Sequence, residues 1–311
     1  DSVQSVLEAS GPLGRGLVDL GRNAKDSFKQ MVIPGEMLFE KLGITCTAPI
    51  PGHDIAALKR ALRVCLKADG PTLLHVVTKK GKGYEPAEEN PSKFHGIGPY
   101  DIATGEVKKG SSSAPKYTSV FSKAIVAEAE RDHDIVAITA AMKDGTGLAA
   151  FSEKFPKRFI DTGIAEEHAV ALASGLALGG KKPVVCIYST FMQRAFDQLV
   201  INNALANTNV VFCLDRAGLV GDDGPTHHGV FDIAYGRMVP GVRMMAPSDE
   251  AELVHMLHTA LALEGPVILR WPRGEARGVE LPAVPQVLEE GKSRTTREGS
   301  DVAILAFGRM V

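Results

Sequence analysis

Cysteine is scarce and scattered: Cys46, Cys65, Cys186 and Cys213 form no Cys-x-x-Cys pair, which argues against a zinc site or a redox dithiol. Reduced, mostly buried thiols in a cytoplasmic protein are the expectation. No apolar stretch is long enough for a bilayer, since the least polar run, Ala169 to Gly180, is short and full of small residues. Asp1 to Ser10 lacks the pattern of a secretory signal. Positive charge is also short. With 35 basic and 37 acidic residues, the net charge of −2 leaves no excess to neutralise phosphates along a nucleic acid. Small molecules or proteins are the expected partners. The 32 glycines and 18 prolines are too few for a low-complexity chain and enough for many tight loops. What is present is core material: 44% apolar and 23% charged residues in 311, a length that suggests about two domains. The chain starts at Asp1 rather than Met and stops at Val311 after an apolar run, so a piece of a longer protein is expected.

Asp54 is placed to cap a helix whose apolar positions Ile55, Leu58, Leu62 and Cys65 share one face, ended by Gly70-Pro71. The run Thr72 to Thr78 reads as a buried strand, followed by the basic loop Lys79-Lys80-Gly81-Lys82-Gly83-Tyr84. Gly110 to Pro115, with three consecutive serines, reads as a linker. Helical and strand patterns then alternate. Strands are predicted at Asp134 to Thr139, Phe159 to Asp161, Val184 to Tyr188, Val210 to Leu214, Val242 to Ala246 and Val267 to Trp271. Helices are predicted at Val120 to Arg131, Ala165 to Leu178, Thr190 to about Asn203 and Asp249 to Leu263. This alternation predicts an α/β fold, parallel sheets flanked by helices. A final strand is predicted at Asp301 to Phe307.

In parallel α/β sheets, ligands bind beyond the carboxyl ends of the strands. Four predicted strands lead there into reactive or anion-binding residues: Glu166 and His168; Tyr188, Phe191 and Arg194; Asp215-Arg216 and the loop Gly221 to Gly229; and Arg273-Gly274. Each has a plain explanation. Glu166 and Glu167 suit any helix start, a lone arginine is usually solvated, Phe191 and Met192 suit a core, and the lysine loop suits solvent. Adjacent His227 and His228 rarely converge on one ion, so no metal ligand is assigned. Convergence raises the functional reading. Two arginines on different strand ends suit a phosphate, a loop histidine moves protons near neutral pH, and an acid at a helix start suits a ring nitrogen.

The segments Gly163-Ile164-Ala165-Glu166-Glu167-His168-Ala169, Tyr188-Ser189-Thr190-Phe191-Met192-Gln193-Arg194, Asp215-Arg216-Ala217-Gly218, Asp223-Gly224-Pro225-Thr226-His227 and Arg270-Trp271-Pro272-Arg273-Gly274 resemble the 1-deoxy-D-xylulose-5-phosphate synthase family. So do Thr78 to Glu88 and Phe94-His95-Gly96. The resemblance implies a transketolase-like, thiamine-diphosphate-binding fold and a magnesium-dependent homodimer. It also implies an enzyme that decarboxylates pyruvate and adds the two-carbon fragment to D-glyceraldehyde 3-phosphate. By that pattern Glu166 bonds the aminopyrimidine ring, Phe191 stacks on it, and Tyr84, Lys80 and Ile164 lie beside the cofactor. Arg216 and Arg273 match phosphate-binding arginines, with Tyr188, Arg194 and Asp223 lining the acceptor site. His227 and His95 match proton-handling histidines, while His53 is read as structural.

The implied domains are 1–110, the end of a diphosphate-binding domain; 111–116, a linker; 117–281, a pyrimidine-binding domain; and 282–311, a linker with the first strand of a third domain. The family's Gly-Asp-Gly motif, which holds magnesium and diphosphate, does not occur in this sequence. Ala48 and Pro51 replace a Gly and an Asp common in the family, and Lys143 stands where Pro is frequent. Two other readings stay open: another transketolase-like enzyme or 2-oxoacid dehydrogenase β chain, and an inactive accessory subunit of this fold.

Overall fold

The computed structural model describes residues 37–107 and 114–311. The chain divides into two compact units, Asp1–Gly110 and Ser111–Val311.

In the first unit, α1 (Met37–Lys41), β1 (Thr45–Cys46), β2 (Ile50–Pro51), α2 (Ile55–Cys65), β3 (Thr72–Leu73), β4 (Val76–Val77) and α3 (Glu85–Glu89) follow in order. Asp54 caps α2 as its side chain predicts, accepting from the Ala57 amide at 2.9 Å. The single buried strand expected at Thr72 to Thr78 is instead two short pieces with different partners, β3 on β1 and β4 on β2. Between them the His75 amide donates to the Thr47 hydroxyl at 3.0 Å, which interrupts the ladder. Val76 and Val77 are exposed. His53 accepts from the Lys79 amide through Nε2 at 2.8 Å, which ties down the start of the lysine loop.

The second unit holds α4 (Tyr117–Arg131), β5 (Ile135–Thr139), α5 (Ala149–Lys154), β6 (Phe159–Asp161), α6 (Glu166–Leu178), β7 (Lys182–Tyr188), α7 (Ser189–Met192), α8 (Phe196–Gln198), β8 (Val211–Asp215), α9 (Asp232–Met238), β9 (Arg243–Met245), α10 (Glu250–Ala262) and β10 (Val267–Arg270). Six strands form one sheet, in the order β6-β5-β7-β8-β10-β9. Every neighbouring pair is parallel, so all the strands end at the same edge.

Alternate residues of each strand feed opposite faces. Ile135, Ala137, Val184, Cys186, Val211, Cys213, Val267 and Leu269 pack with Phe121 and Ile125 of α4 and Leu253 and Leu257 of α10. Val136, Ile138, Val185, Ile187, Phe212, Leu214 and Ile268 pack against Ala169, Val170 and Ala173 of α6 and Met192 and Leu199. With both faces covered, each large side chain such as Phe212 contributes roughly 1.5–3 kcal/mol. Cys186 and Cys213 sit side by side in this core as free thiols, while Cys46 and Cys65 are half-buried. Among the described residues no helix is long and apolar enough to cross a membrane.

The continuous helix expected from Thr190 to Asn203 is broken. A 3-10 turn at Gln193–Ala195 follows α7, and after α8 the chain widens into a π-turn at Leu199–Ala204. The Asn203 side-chain amide donates to the Gln198 carbonyl at 3.0 Å, an insertion of the kind that widens a helix. The strand expected at Asp301 to Phe307 does not form, and Val302, Ile304 and Leu305 are exposed; a strand needs a neighbour, and none of the described residues offers one.

Candidate active site

The carboxyl edge of the sheet gathers most of the reactive side chains. At the end of β6, Asp161 accepts from the amides of Ala141 and Gly163 at 2.8 and 3.0 Å, turning the chain into α6. Glu166 opens that helix, where the macrodipole favours an anion, and it is only 2% exposed. Among the described residues its side chain has one hydrogen bond, from Arg194 Nη1 at 3.3 Å. Arg194 in turn lies 5.8 Å from the centre of the Phe191 ring.

The end of β7 presents two stacked rings, Tyr188 and Phe191, with centroids 5.8 Å apart. His227 meets Phe191 edge-on at 5.3 Å, and its Nδ1 is 3.0 Å from the Thr226 hydroxyl. Burial raises the Tyr188 phenol above its ordinary range, opposed by the neighbouring Arg216 charge.

At the end of β8, Asp215 is fully buried and accepts from the Thr118 hydroxyl at 2.6 Å. Burial raises its carboxyl, against the opposing effects of Thr118 and Arg216. Arg216 has φ of +62°, the left-handed region that non-glycine residues seldom occupy. Its guanidinium lies 3.8 Å from the centre of the Tyr188 ring, donates to the Gly145 carbonyl at 2.8 Å and meets Asp223 at 3.0 Å. Arg273, beyond β10, reaches the same Asp223 oxygen at 3.3 Å and donates to the Val220 carbonyl at 3.1 Å. One carboxylate thus holds two guanidinium groups near each other. Gly218 and Gly229 exchange backbone hydrogen bonds and close the base of the loop that carries Asp223 and His227.

Contacts therefore run without a gap from Glu166 through Arg194, Phe191 and Tyr188 to Arg216, Asp223 and Arg273, with His227 against the rings. The arrangement joins a carboxylate with spare acceptor capacity, an apolar ring surface and a cationic end suited to a phosphate. Ile164 precedes Glu166 and is 77% exposed. Lys80, Tyr84 and His95 belong to the first unit, where Lys80 and His95 are exposed and the Tyr84 hydroxyl donates to the Ile102 carbonyl at 2.8 Å. His228 accepts from the Val220 amide at 3.1 Å and so shapes the loop. Among the described residues no group of three His, Cys, Asp or Glu side chains is placed to hold a metal ion.

Sequence reasoning missed the layer beneath. Asp232, 1% exposed, accepts from Ser189 at 2.9 Å and Arg270 at 2.8 Å, joining the ends of β7 and β10 under the Phe191 turn. No local pattern marks Asp232 apart from any acid opening a helix.

Residues 113–279, more than half of the chain, match the family model described as the transketolase pyrimidine binding domain, and the chain belongs to that family. Residues 1–78 match the family model described as 1-deoxy-D-xylulose-5-phosphate synthase. The chain is similar over its whole length to proteins of that name: it is 51% identical to that of Syntrophomonas wolfei over 312 residues, covering 48% of that protein. It is 54% identical to that of Magnetococcus marinus over 311 residues, covering 49%. The chain spans about half the length of the curated relatives it matches. Among solved structures, a split-gene transketolase described as an inactive β4 tetramer is 28% identical, with a TM-score of 0.53 over 61% of each chain. A transketolase from Campylobacter jejuni, 18% identical with a TM-score of 0.51, covers 80% of this chain and 49% of its own, and shares the fold.

Proposed function

We propose that the second unit provides the pyrimidine-binding and acceptor-binding side of a thiamine-diphosphate-dependent synthase. This enzyme condenses pyruvate, with loss of carbon dioxide, with D-glyceraldehyde 3-phosphate to give 1-deoxy-D-xylulose 5-phosphate, the first step of non-mevalonate isoprenoid synthesis. The observation that carries this reading is the unbroken contact path from buried Glu166 to the Arg216–Asp223–Arg273 cluster. The similarity to the synthases selects this reaction among those the fold supports.

The residues fit the cofactor's pyrimidine. Glu166 is nearly free of solvent yet keeps unused acceptor capacity, and Phe191 lies next in the contact path, an apolar face for stacking. When bound, thiamine diphosphate supplies the carbon nucleophile and electron sink that lets a 2-oxo acid lose carbon dioxide. Glu166 would hold a nitrogen of the pyrimidine through its free carboxylate oxygen. Phe191 would stack on the ring, and Ile164 would lie beside it. Arg216 and Arg273 hold the acceptor phosphate, with Tyr188, Arg194 and Asp223 around it. His227 delivers a proton to the acceptor oxygen. Magnesium and the diphosphate arm belong to residues outside this sequence.

In this reading residues 1–110 end the diphosphate-binding domain, 111–116 link it to the pyrimidine-binding domain at 117–281, and 282–311 lead into a third domain. The working enzyme is a cytoplasmic homodimer. The test uses a polypeptide of the relatives' full length that carries this segment, assayed with thiamine diphosphate, magnesium, pyruvate and glyceraldehyde 3-phosphate. Carbon dioxide release and the phosphorylated product are expected, and Glu166→Ala should abolish both. Full turnover by that variant would remove Glu166 from the mechanism.

A further inference from the structure

The segment between β5 and α5 reaches into the site with a residue that carries no side chain. Gly145 offers its carbonyl to Arg216 Nη1 at 2.8 Å. A Cβ on Gly145 would overlap the Tyr188 hydroxyl oxygen and stand 2.7 Å from ring atom Cζ and 3.1 Å from Cε1. The ring has little room to retreat, because Arg216 lies 3.8 Å from its centre and Phe191 stacks beside it. Nor does the loop yield easily. The Thr146 amide and hydroxyl both donate to the Met142 carbonyl, at 3.0 and 2.9 Å. The Leu148 amide donates to Lys143 at 2.9 Å, and Thr146 is fully buried. One backbone position therefore sets the places of both the tyrosine and the arginine.

We infer that Gly145 is a positioning residue for the phosphorylated acceptor: its missing side chain seats Tyr188, and its carbonyl aims Arg216 across that ring toward Asp223. This rests on the acceptor-site reading above. Gly145→Ala pushes the Tyr188 ring against Arg216, and a displacement on the order of 1 Å at such a contact costs up to about a hundredfold in rate. The loss falls chiefly on the phosphorylated acceptor, because the three atoms nearest the added methyl group all belong to Tyr188, the ring on which Arg216 lies.

The experiment compares wild type, Gly145→Ala, Tyr188→Phe, the double variant and Arg216→Ala in the full-length polypeptide. Each is assayed with D-glyceraldehyde 3-phosphate and with unphosphorylated D-glyceraldehyde. Expected for Gly145→Ala is a fall of about tenfold to a hundredfold in kcat/KM with the phosphorylated acceptor. The fall with D-glyceraldehyde should be much smaller, and KM for pyruvate should be unchanged. Tyr188→Phe removes the atom that the new methyl group overlaps, so alanine at 145 should cost less in that background. Equal losses with both acceptors, or strict additivity with Tyr188→Phe, would overturn the inference. If Gly145→Ala alone does not fold, recovery of folded protein in the double variant supports the steric coupling; failure of both makes Gly145 a folding residue and overturns it. Arg216→Ala separates the two levels: no discrimination against the phosphorylated acceptor there overturns the acceptor reading itself.

Discussion

The two edges of the six-stranded sheet both pair a base with an aspartate, for different ends. At the amino edge, Lys182 pairs with Asp132 and Lys181 with Asp134, each at 2.8 Å, with side chains about a third to a half exposed. At the carboxyl edge, Arg270 meets Asp232 at 2.8 Å with side chains 15% and 1% exposed, and Arg216 and Arg273 share the half-buried Asp223. Water screens the first set, and each pair is worth about 1 kcal/mol or less. Arg270 and Asp232 have lost most of their hydration, so their charges depend on one another and hold their geometry. Burial, together with the change from lysine to arginine, makes one edge ordinary and the other a candidate site.

The sharpest way to break that contrast is Arg270→Ala, which leaves Asp232 buried with Ser189 as its remaining side-chain donor. Urea denaturation should show a loss of about 3–5 kcal/mol, the cost of stranding a buried charge. A loss below about 1 kcal/mol would place this pair with those of the amino edge. Next is Arg273→Ala, expected to cost about 1.5–3 kcal/mol of acceptor binding, read as a raised KM for the phosphorylated aldehyde with pyruvate affinity unchanged. An unchanged acceptor KM with weakened pyruvate binding would contradict the phosphate clamp. Lys182→Ala should cost no more than about 1 kcal/mol in stability, and the difference should fade in high salt.

The smallest effect is one of sign with pH. Lys182 holds the Asp132 carboxyl below its usual 3.8, so that group stabilises the fold above this value, and the contribution is lost as pH falls toward the lower folded-state value. Asp215 is raised above 3.8, chiefly by burial, so its contribution is fullest at low pH and is lost as pH rises from 3.8 through the folded-state value. Stability curves of Asp132→Asn and Asp215→Asn against wild type should therefore diverge in opposite directions across the acid range. Divergence in the same direction would mean that the two carboxyls do not differ in environment.

Much of the fold is legible in the sequence. The strands of the second unit stand out because both faces of a parallel sheet are buried and apolar residues run through each strand, as at Val184 to Tyr188. Asp54 was readable as a cap because the capping bond spans three residues. The widening at Leu199–Ala204 was not, since Asn203 intrudes through its own side-chain amide, which periodicity does not register. Thr72 to Thr78 misled for the opposite reason: its composition suits a buried strand, but its pairing is divided between two partners. The residues of the candidate site were legible one by one, as strand-end groups or through family likeness. Asp232 was invisible, because its importance lies wholly in two groups distant in the chain.

Chain order alone settles what short-range forces govern: which segments extend, which coil, where a helix is capped, and which reactive groups follow a strand. Side-chain period and local hydrogen bonding need only a few neighbouring residues. That a glycine in one loop leaves room for a tyrosine from another strand, or that one carboxylate serves two guanidinium groups far from it in number, was decided only by the packed sheet. Such contacts depend on steric exclusion and charge over a few ångströms of space, and those distances exist only after the chain has folded.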